Sequence, residues 1–212
     1  MRISLIYDNE LWKKDLKADW GFSSLIEAHH KKILFDTGAN GAILLYNMKK
    51  LRIDPAEIDE VFISHGHNDH IGGLNSFLKV KSDIPVYVPR SVGKIQGTCG
   101  TVYIKGPDVI HEHIFSTGEL GNIEQSLVIE TNKGLVIIAG CSHPGIRNIL
   151  RAASQFGKPY ALVGGLHGFN EFELIEDLEW ICPVHCTRFK SEIKALYPRK
   201  YITGGAGRVI EL

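Results

Sequence analysis

The sequence predicts an α/β fold: two mixed sheets packed face to face with helices on both outer sides, an αβ/βα sandwich of four layers. Two observations carry that expectation. Short apolar runs bounded by turn residues recur along the whole chain, and strand and helix patterns follow in similar order in its two halves. The first half is richer in hairpins, and the second alternates strand with helix. With 212 residues, 44% of them hydrophobic, the chain can bury a substantial core. No low-complexity tract or Pro/Ser-rich linker divides it, so residues 1–212 read as a single domain.

Taken in order, "ISLIYD" reads as the first strand. "FSSLIEA" and "KKILFDTG" are two more, joined by a solvated turn that holds His29 and His30. "GAILLYNMKKL" has helical spacing. "IDEVFISH" is a buried strand that ends at a histidine cluster, "HIGGLNSFLKV" starts a helix beyond it, and "IPVYVP" is a strand bracketed by prolines. Residues 90–122 show little regular pattern and are expected to form a lid or rim over the site. "SLVIET" and "LVIIAG" flank Asn-Lys-Gly as a hairpin. "GIRNILRAASQFG" then reads as a helix closed by Gly157, "PYALVGG" as a strand, "EFELIEDLEW" as a helix, "ICPVHCT" as a strand and "FKSEIKALYP" as a helix. The end, "YITGGAGRVIEL", reads as a closing pair of short strands.

Charge is balanced at 24 basic against 24 acidic residues. Bulk charge therefore indicates neither nucleic acid nor a membrane surface as a partner. No run approaches ~18 consecutive apolar residues, and the first residues lack a signal-peptide pattern, so a cytoplasmic protein without a membrane span is expected. The four cysteines, Cys99, Cys141, Cys182 and Cys186, make no disulfide framework in a chain of this length. Cys182 and Cys186 lack the second ligand pair of a zinc knuckle and read as small buried residues.

Chemistry concentrates in "SHGHNDH". His65 and His67 lie two apart, so on an extended turn they project the same way, while Asp69 and His70 follow on the next bend. Such a loop offers two imidazoles to one metal ion and a carboxylate plus an imidazole to another. That donor set suits zinc, with manganese or iron less exclusively. Gly66 permits the tight turn, and Gly72 and Gly73 permit close approach behind it. A polar surface turn would not need four such ligands directly after a buried strand.

These residues resemble the H-x-H-x-D-H motif of the metallo-β-lactamase fold superfamily. "ILFDTG", "LVIIAGCSH" and "ICPVHCT" fall in matching order, so the resemblance spans nearly the whole chain. "WGFSSLIE", "EQSLVIET", "GCSHPGI", "VGGLH" and "PVHCT" narrow it to the subfamily named after a dihydropterin–aminobenzene ribofuranosyl phosphate synthase. The resemblance implies that His65 and His67 bind a first metal and that Asp69, His70 and His185 bind a second. The superfamily's further histidine before the hairpin is missing from "GNIEQS", and Cys141 stands where a bridging Asp is usual. We expect His143 to replace the missing ligand. Asp36 is expected to orient a ligating imidazole from behind, and Cys141 to approach the metals or serve structure.

His167 in "GGLHGF" is read as a substrate contact and proton donor. Arg147, at the start of a helix, is read as a phosphate contact, set against an ordinary surface ion pair. His111 and His113 mimic a ligand pair but fall in the irregular stretch. Two divalent cations would make a hydroxide at neutral pH, with Asp69 orienting it and His167 protonating the leaving group. The expected activity is hydrolysis of a small-molecule ester or phosphoester, phosphorylated or nucleotide-like. The alternative is a transferase joining a dihydropterin to ribofuranosylaminobenzene phosphate. A di-iron redox role is disfavoured because the carboxylate ligands of such relatives are missing here and no flavodoxin-like segment is attached. A homo-oligomer is left open.

Overall fold

The computed structural model describes residues 1–212, and its strands form two sheets. The strands are β1 (Arg2–Tyr7), β2 (Ser23–Ala28), β3 (Lys31–Phe35), β4 (Glu60–Phe62), β5 (Pro85–Pro89) and β6 (Gly100–Ile104). There follow β7 (Asp108–His111), β8 (Ile114–Ser116), β9 (Leu127–Thr131), β10 (Gly134–Ala139), β11 (Pro159–Gly165), β12 (Trp180–Val184) and β13 (Val209–Glu211). The first sheet runs β13-β1-β2-β3-β4-β5-β6, and the second β12-β11-β10-β9-β8-β7. From β3 to β6 neighbours are parallel, as are β10, β11 and β12, while the remaining pairs are antiparallel.

Period-two alternation sorts the apolar side chains into layers. In β10, Val136 and Ile138 join the core between the sheets, with Phe35, Ile129 and Val163. Leu135, Ile137 and Ala139 face the other way, onto Ile146 and Ile149 of α4 (Ile146–Ala153) and Ile193 of α5 (Lys190–Leu196). On the far side, Ile6, Leu34 and Val61 meet Leu44 and Met48 of α1 (Gly41–Lys50) and Phe77 of α3 (Leu74–Leu78). Each buried Leu, Ile or Phe contributes roughly 1.5–3 kcal/mol. These three cores define four layers, helix–sheet–sheet–helix. No helix is long and apolar enough to cross a membrane.

Several local expectations change. "HIGGLNSFLKV" is not one helix: α2 (Asn68–Ile71) already contains Asp69 and His70, and the chain breaks at Gly72–Gly73 before α3. A Cβ on Gly73 would come 2.2 Å from the Thr37 carbonyl oxygen, so the break lets the backbone settle against the β3 end. "EFELIEDLEW" holds only a 3₁₀ turn at Phe172–Ile175, and α4 ends at Ala153, before Gly157. The C-terminal stretch gives one strand, β13, and two isolated bridges, Ile181 with Tyr201 and Leu11 with Ala206. Residues 90–122, read as irregular, contain β6, β7 and β8. These are short, with Val102, Tyr103 and Val109 exposed, so the usual alternation is muted. His111 pairs with Glu60 at the start of β4, the opposite end of that strand from His65, so this part of the segment is not a rim.

Candidate metal centre

The site forms where the carboxyl ends of strands from both sheets meet, the position that open α/β sheets use for ligands. The end of β1 supplies Asp8 and Asn9, that of β3 Asp36, and that of β4 Ser64 and the histidine turn. The second sheet adds 140–143 after β10, His167 after β11, and His185–Cys186 after β12. Four non-glycine residues here, Asp36, Ser142, His167 and His185, have left-handed backbone with φ between 48° and 62°. Strain of this kind clusters at functional sites.

Three overlapping groups of donor atoms result, two of them built on the histidine turn. His65, His67 and His143 form one, and Asp69, His70, Cys141 and His185 the other, with the ligand atoms within 4.8 Å of one another in each. In the mixed group, His70 Nε2 lies 3.1 Å from Cys141 Sγ and 3.2 Å from His185 Nε2. Asp69 Oδ2 lies 3.2 Å from His185 Nε2. Cys141 thus presents its sulfur beside these imidazole and carboxylate donors.

The far nitrogens of three rings are held from behind. Asp36, fully buried, accepts from His70 Nδ1 at 2.7 Å and from the Ser64 hydroxyl at 2.7 Å. That hydroxyl in turn accepts from His65 Nδ1 at 2.9 Å. His185 Nδ1 donates to Asn9 Oδ1 at 3.0 Å. This pattern puts the proton on Nδ1 and aims each Nε2 lone pair into the site. Ser64 fits because a Cβ on Gly140 would come 2.2 Å from its hydroxyl oxygen.

Burial sets the charge states. It drives His65 far below the usual imidazole range, His70 down to about 3 and His143 down to about 4, with neighbouring histidines adding to each effect. These three imidazoles are thus neutral ligands at neutral pH. Burial pushes the Asp36 carboxyl up, against its Ser64 hydrogen bonds. Burial also works to raise Asp69, but its close contacts with His185 and His70 hold it below the ordinary carboxylate range.

The Nε2 atoms of His65 and His143 are buried without any hydrogen-bond partner. Two orphaned nitrogens, on neutral rings whose centroids are 4.8 Å apart, are costly unless something accepts their lone pairs. A divalent cation does so, and the donor set fits one.

His167 is exposed and groups with Cys141 and Cys186. Its ring centroid stands 4.8 Å from that of His143. Arg147 is not drawn into the cluster. It pairs with Glu171 at the exposed surface, because Ile146 and Ile149 take the buried face of α4 and leave Arg147 outside. His29 and His30 are exposed, and His113 pairs with Glu130.

Sequence reasoning missed four supports. Glu124, in the "GNIEQS" stretch that lacks a histidine, is buried and accepts four backbone N–H groups. Those of Gly140, Cys141 and Ser142 reach one oxygen and that of His143 the other, at 2.8–3.1 Å. It shapes the turn that carries Cys141 and His143. Burial pushes its pKa up, and those hydrogen bonds oppose the shift. Asp8 and Asn9 hold the His185 backbone. Trp20, 58% exposed, donates its indole N–H to Asp69 Oδ2 at 3.0 Å and sets its ring 5.0 Å from that of His185. Polar residues straight after the first buried strand were a usable signal for Asp8 and Asn9. Glu124 had no local one.

A family model described as the metallo-beta-lactamase superfamily matches residues 19–98. The 7,8-dihydropterin-6-methyl-4-(beta-D-ribofuranosyl)-aminobenzene-5'-phosphate synthase of Methanocaldococcus jannaschii is 30% identical, over 88% of this chain and 85% of that protein. The chain belongs to the metallo-beta-lactamase superfamily. Among solved structures, the superfamily's metal-dependent hydrolase Tm1679 aligns at TM-score 0.81 with 28% identity, covering 100% of this chain and 99% of that one. A diphosphatase from the PhnP family shares the superfamily fold at TM-score 0.70 and 12% identity, covering 100% and 97%.

Proposed function

We propose that this protein is a metal-dependent hydrolase of small-molecule esters or phosphoesters. The observation that carries the reading is the convergence of the two donor groups, with imidazole lone pairs fixed from behind and two of them unpartnered. His65, His67 and His143 would hold one divalent cation, and Asp69, His70, His185 and Cys141 a second, zinc being the ion that best suits nitrogen, sulfur and carboxylate donors. When bound, such cations supply Lewis acidity and lower the pKa of a water toward ~7.

The chain's own residues do the rest. Asp69 stays ionised and accepts a hydrogen bond from the attacking water, orienting its lone pair toward the substrate. His167, exposed beside His143, reaches the opposite side and passes a proton to the departing oxygen. Trp20 offers a flat apolar wall against which a ring-bearing substrate excludes water.

A second reading has its own support. The relative at 30% identity bears the name of a dihydropterin–ribofuranosylaminobenzene phosphate synthase, which fits a transferase joining a dihydropterin to ribofuranosylaminobenzene phosphate. In that case the same donors would activate a substrate leaving group rather than a water.

Zinc- or manganese-loaded protein should hydrolyse bis-p-nitrophenyl phosphate, and His67→Ala should abolish that turnover. No hydrolysis, together with consumption of a dihydropterin diphosphate in the presence of the ribofuranosyl acceptor, would replace the hydrolase with the transferase.

A further inference from the structure

The hydrolytic reading leaves Cys186 unused, and the structure sets it against Cys141. Their sulfurs are 3.3 Å apart, and neither is in a disulfide. The two residues lie 45 positions apart in sequence, so the fold has assembled the pair. Both backbones are anchored: Cys141 N–H binds Glu124 at 2.9 Å, and Cys186 follows His185, whose N–H binds Asp8. Gly165 packs closely against the pair and makes room for it only by lacking a side chain. A Cβ on Gly165 would come 2.7 Å from Cys186 Sγ. Cys141 is buried and Cys186 half-buried, so a small reagent meets Cys186 first. The other two cysteines are placed differently. Cys182 is wholly buried in the core between the sheets, and Cys99 is exposed beside the edge strand β6.

Cys141 Sγ also touches His70 Nε2 at 3.1 Å within the mixed donor group. One sulfur is therefore shared between a thiol pair and a candidate cation site. A sulfur–sulfur bond needs ~2.05 Å, and a sulfur held in one is no longer the thiolate that ligates a cation.

We propose that Cys141 and Cys186 are a dithiol that a peroxide oxidises to a disulfide, which withdraws the Cys141 sulfur from Asp69, His70 and His185. The withdrawal half rests on the metal-centre reading above, and the dithiol half does not. The Cys186 sulfur attacks the peroxide, breaking its O–O bond, taking one oxygen as a sulfenic acid and releasing one water. The Cys141 sulfur then attacks the sulfenic sulfur and expels the second water. Two thiols lose two electrons and two protons, and one hydrogen peroxide becomes two waters. A small-molecule dithiol reverses the step by exchange.

The test uses the full chain carrying Cys99→Ser, which removes the exposed thiol, loaded with zinc and exposed to hydrogen peroxide. Peptide mapping without reductant should find Cys141 joined to Cys186. Bound zinc should fall by about one ion per chain and return after dithiothreitol and fresh zinc. Adding Cys186→Ala or Cys186→Ser should abolish the link. If both thiols stay open to alkylation, or Cys186 goes to sulfinic acid without a link, the dithiol is refuted. A link that forms while zinc stays fully bound refutes the withdrawal. A chain that binds no zinc yet still forms the link overturns the metal-centre reading and leaves the dithiol standing. Mapping of the Cys99→Ser chain decides the question even if the Cys186 variants fail to fold.

Discussion

The two donor groups are built on opposite principles. His65, His67 and His143 offer three like ligands, with His67 exposed and His143 half-buried, and only His65 is braced through its far nitrogen. Asp69, His70, Cys141 and His185 offer carboxylate, imidazole and sulfur, three of the four buried. Here His70 is locked by Asp36, His185 by Asn9 and Asp69 by Trp20. The open group depends on having its ligands, and the closed group on the residues that aim them. They meet at two points: Asp36 reaches His65 through Ser64, and Glu124 holds both Cys141 and His143.

The harshest way to break this contrast is His143→Ala. An open three-ligand group has no spare donor, so the variant should lose one bound cation per chain and keep the other. Activity should fall by more than the ~10–100-fold that removal of an outer partner costs. Metal analysis beside steady-state kinetics checks it, and full metal content would show that His143 is no ligand.

Asp36→Asn attacks the closed group without deleting a ligand. Its amide would donate to His70 Nδ1, where the carboxylate accepts. The ring would then carry its proton on Nε2 and turn a hydrogen rather than a lone pair into the site. The closed group's cation affinity should drop ~10–100-fold, with a smaller loss in the open group, relayed by Ser64. A metal titration that resolves two steps reads both, and equal losses would mean that the groups are not separately braced.

Glu124→Gln should act on both groups more mildly. A Gln oxygen can keep the Gly140, Cys141 and Ser142 N–H groups, but its amide nitrogen then faces the His143 N–H. Leaving that donor unpaired costs about 1–3 kcal/mol. Thermal or denaturant unfolding of metal-free protein should show that loss, and added zinc should recover part of it.

How far the sequence disclosed this site follows from where each signal resides. The histidine turn and the sandwich were legible, because ligand spacing and apolar alternation are local patterns. Asp36 was expected to orient an imidazole from behind, and it lies 2.7 Å from His70 Nδ1. The role of Glu124 was not, since it depends on four N–H groups more than a dozen residues away. Nor was the closeness of Cys141 to Cys186, which requires β10, β11 and β12 to lie side by side. The edge strands β6 and β7 were missed because their exposed apolar residues blur the period that marks a strand.

Arg147 gives the smallest and most discriminating test. The sequence placed it at a helix start, where a phosphate contact was the functional reading and a surface pair the ordinary one. The structure shows it exposed and engaged by Glu171, outside both donor groups. Exposed pairs contribute little, so Arg147→Ala should change kcat/KM by less than about twofold on any phosphoester and leave metal content untouched. A larger loss confined to KM, and seen only with substrates that carry an extra phosphate, would mean that Arg147 leaves Glu171 when substrate arrives. The substrate would then reach beyond the donor groups to the start of α4. Equal behaviour toward substrates with and without that phosphate would confine recognition to the strand ends, where the open group already has one exposed face.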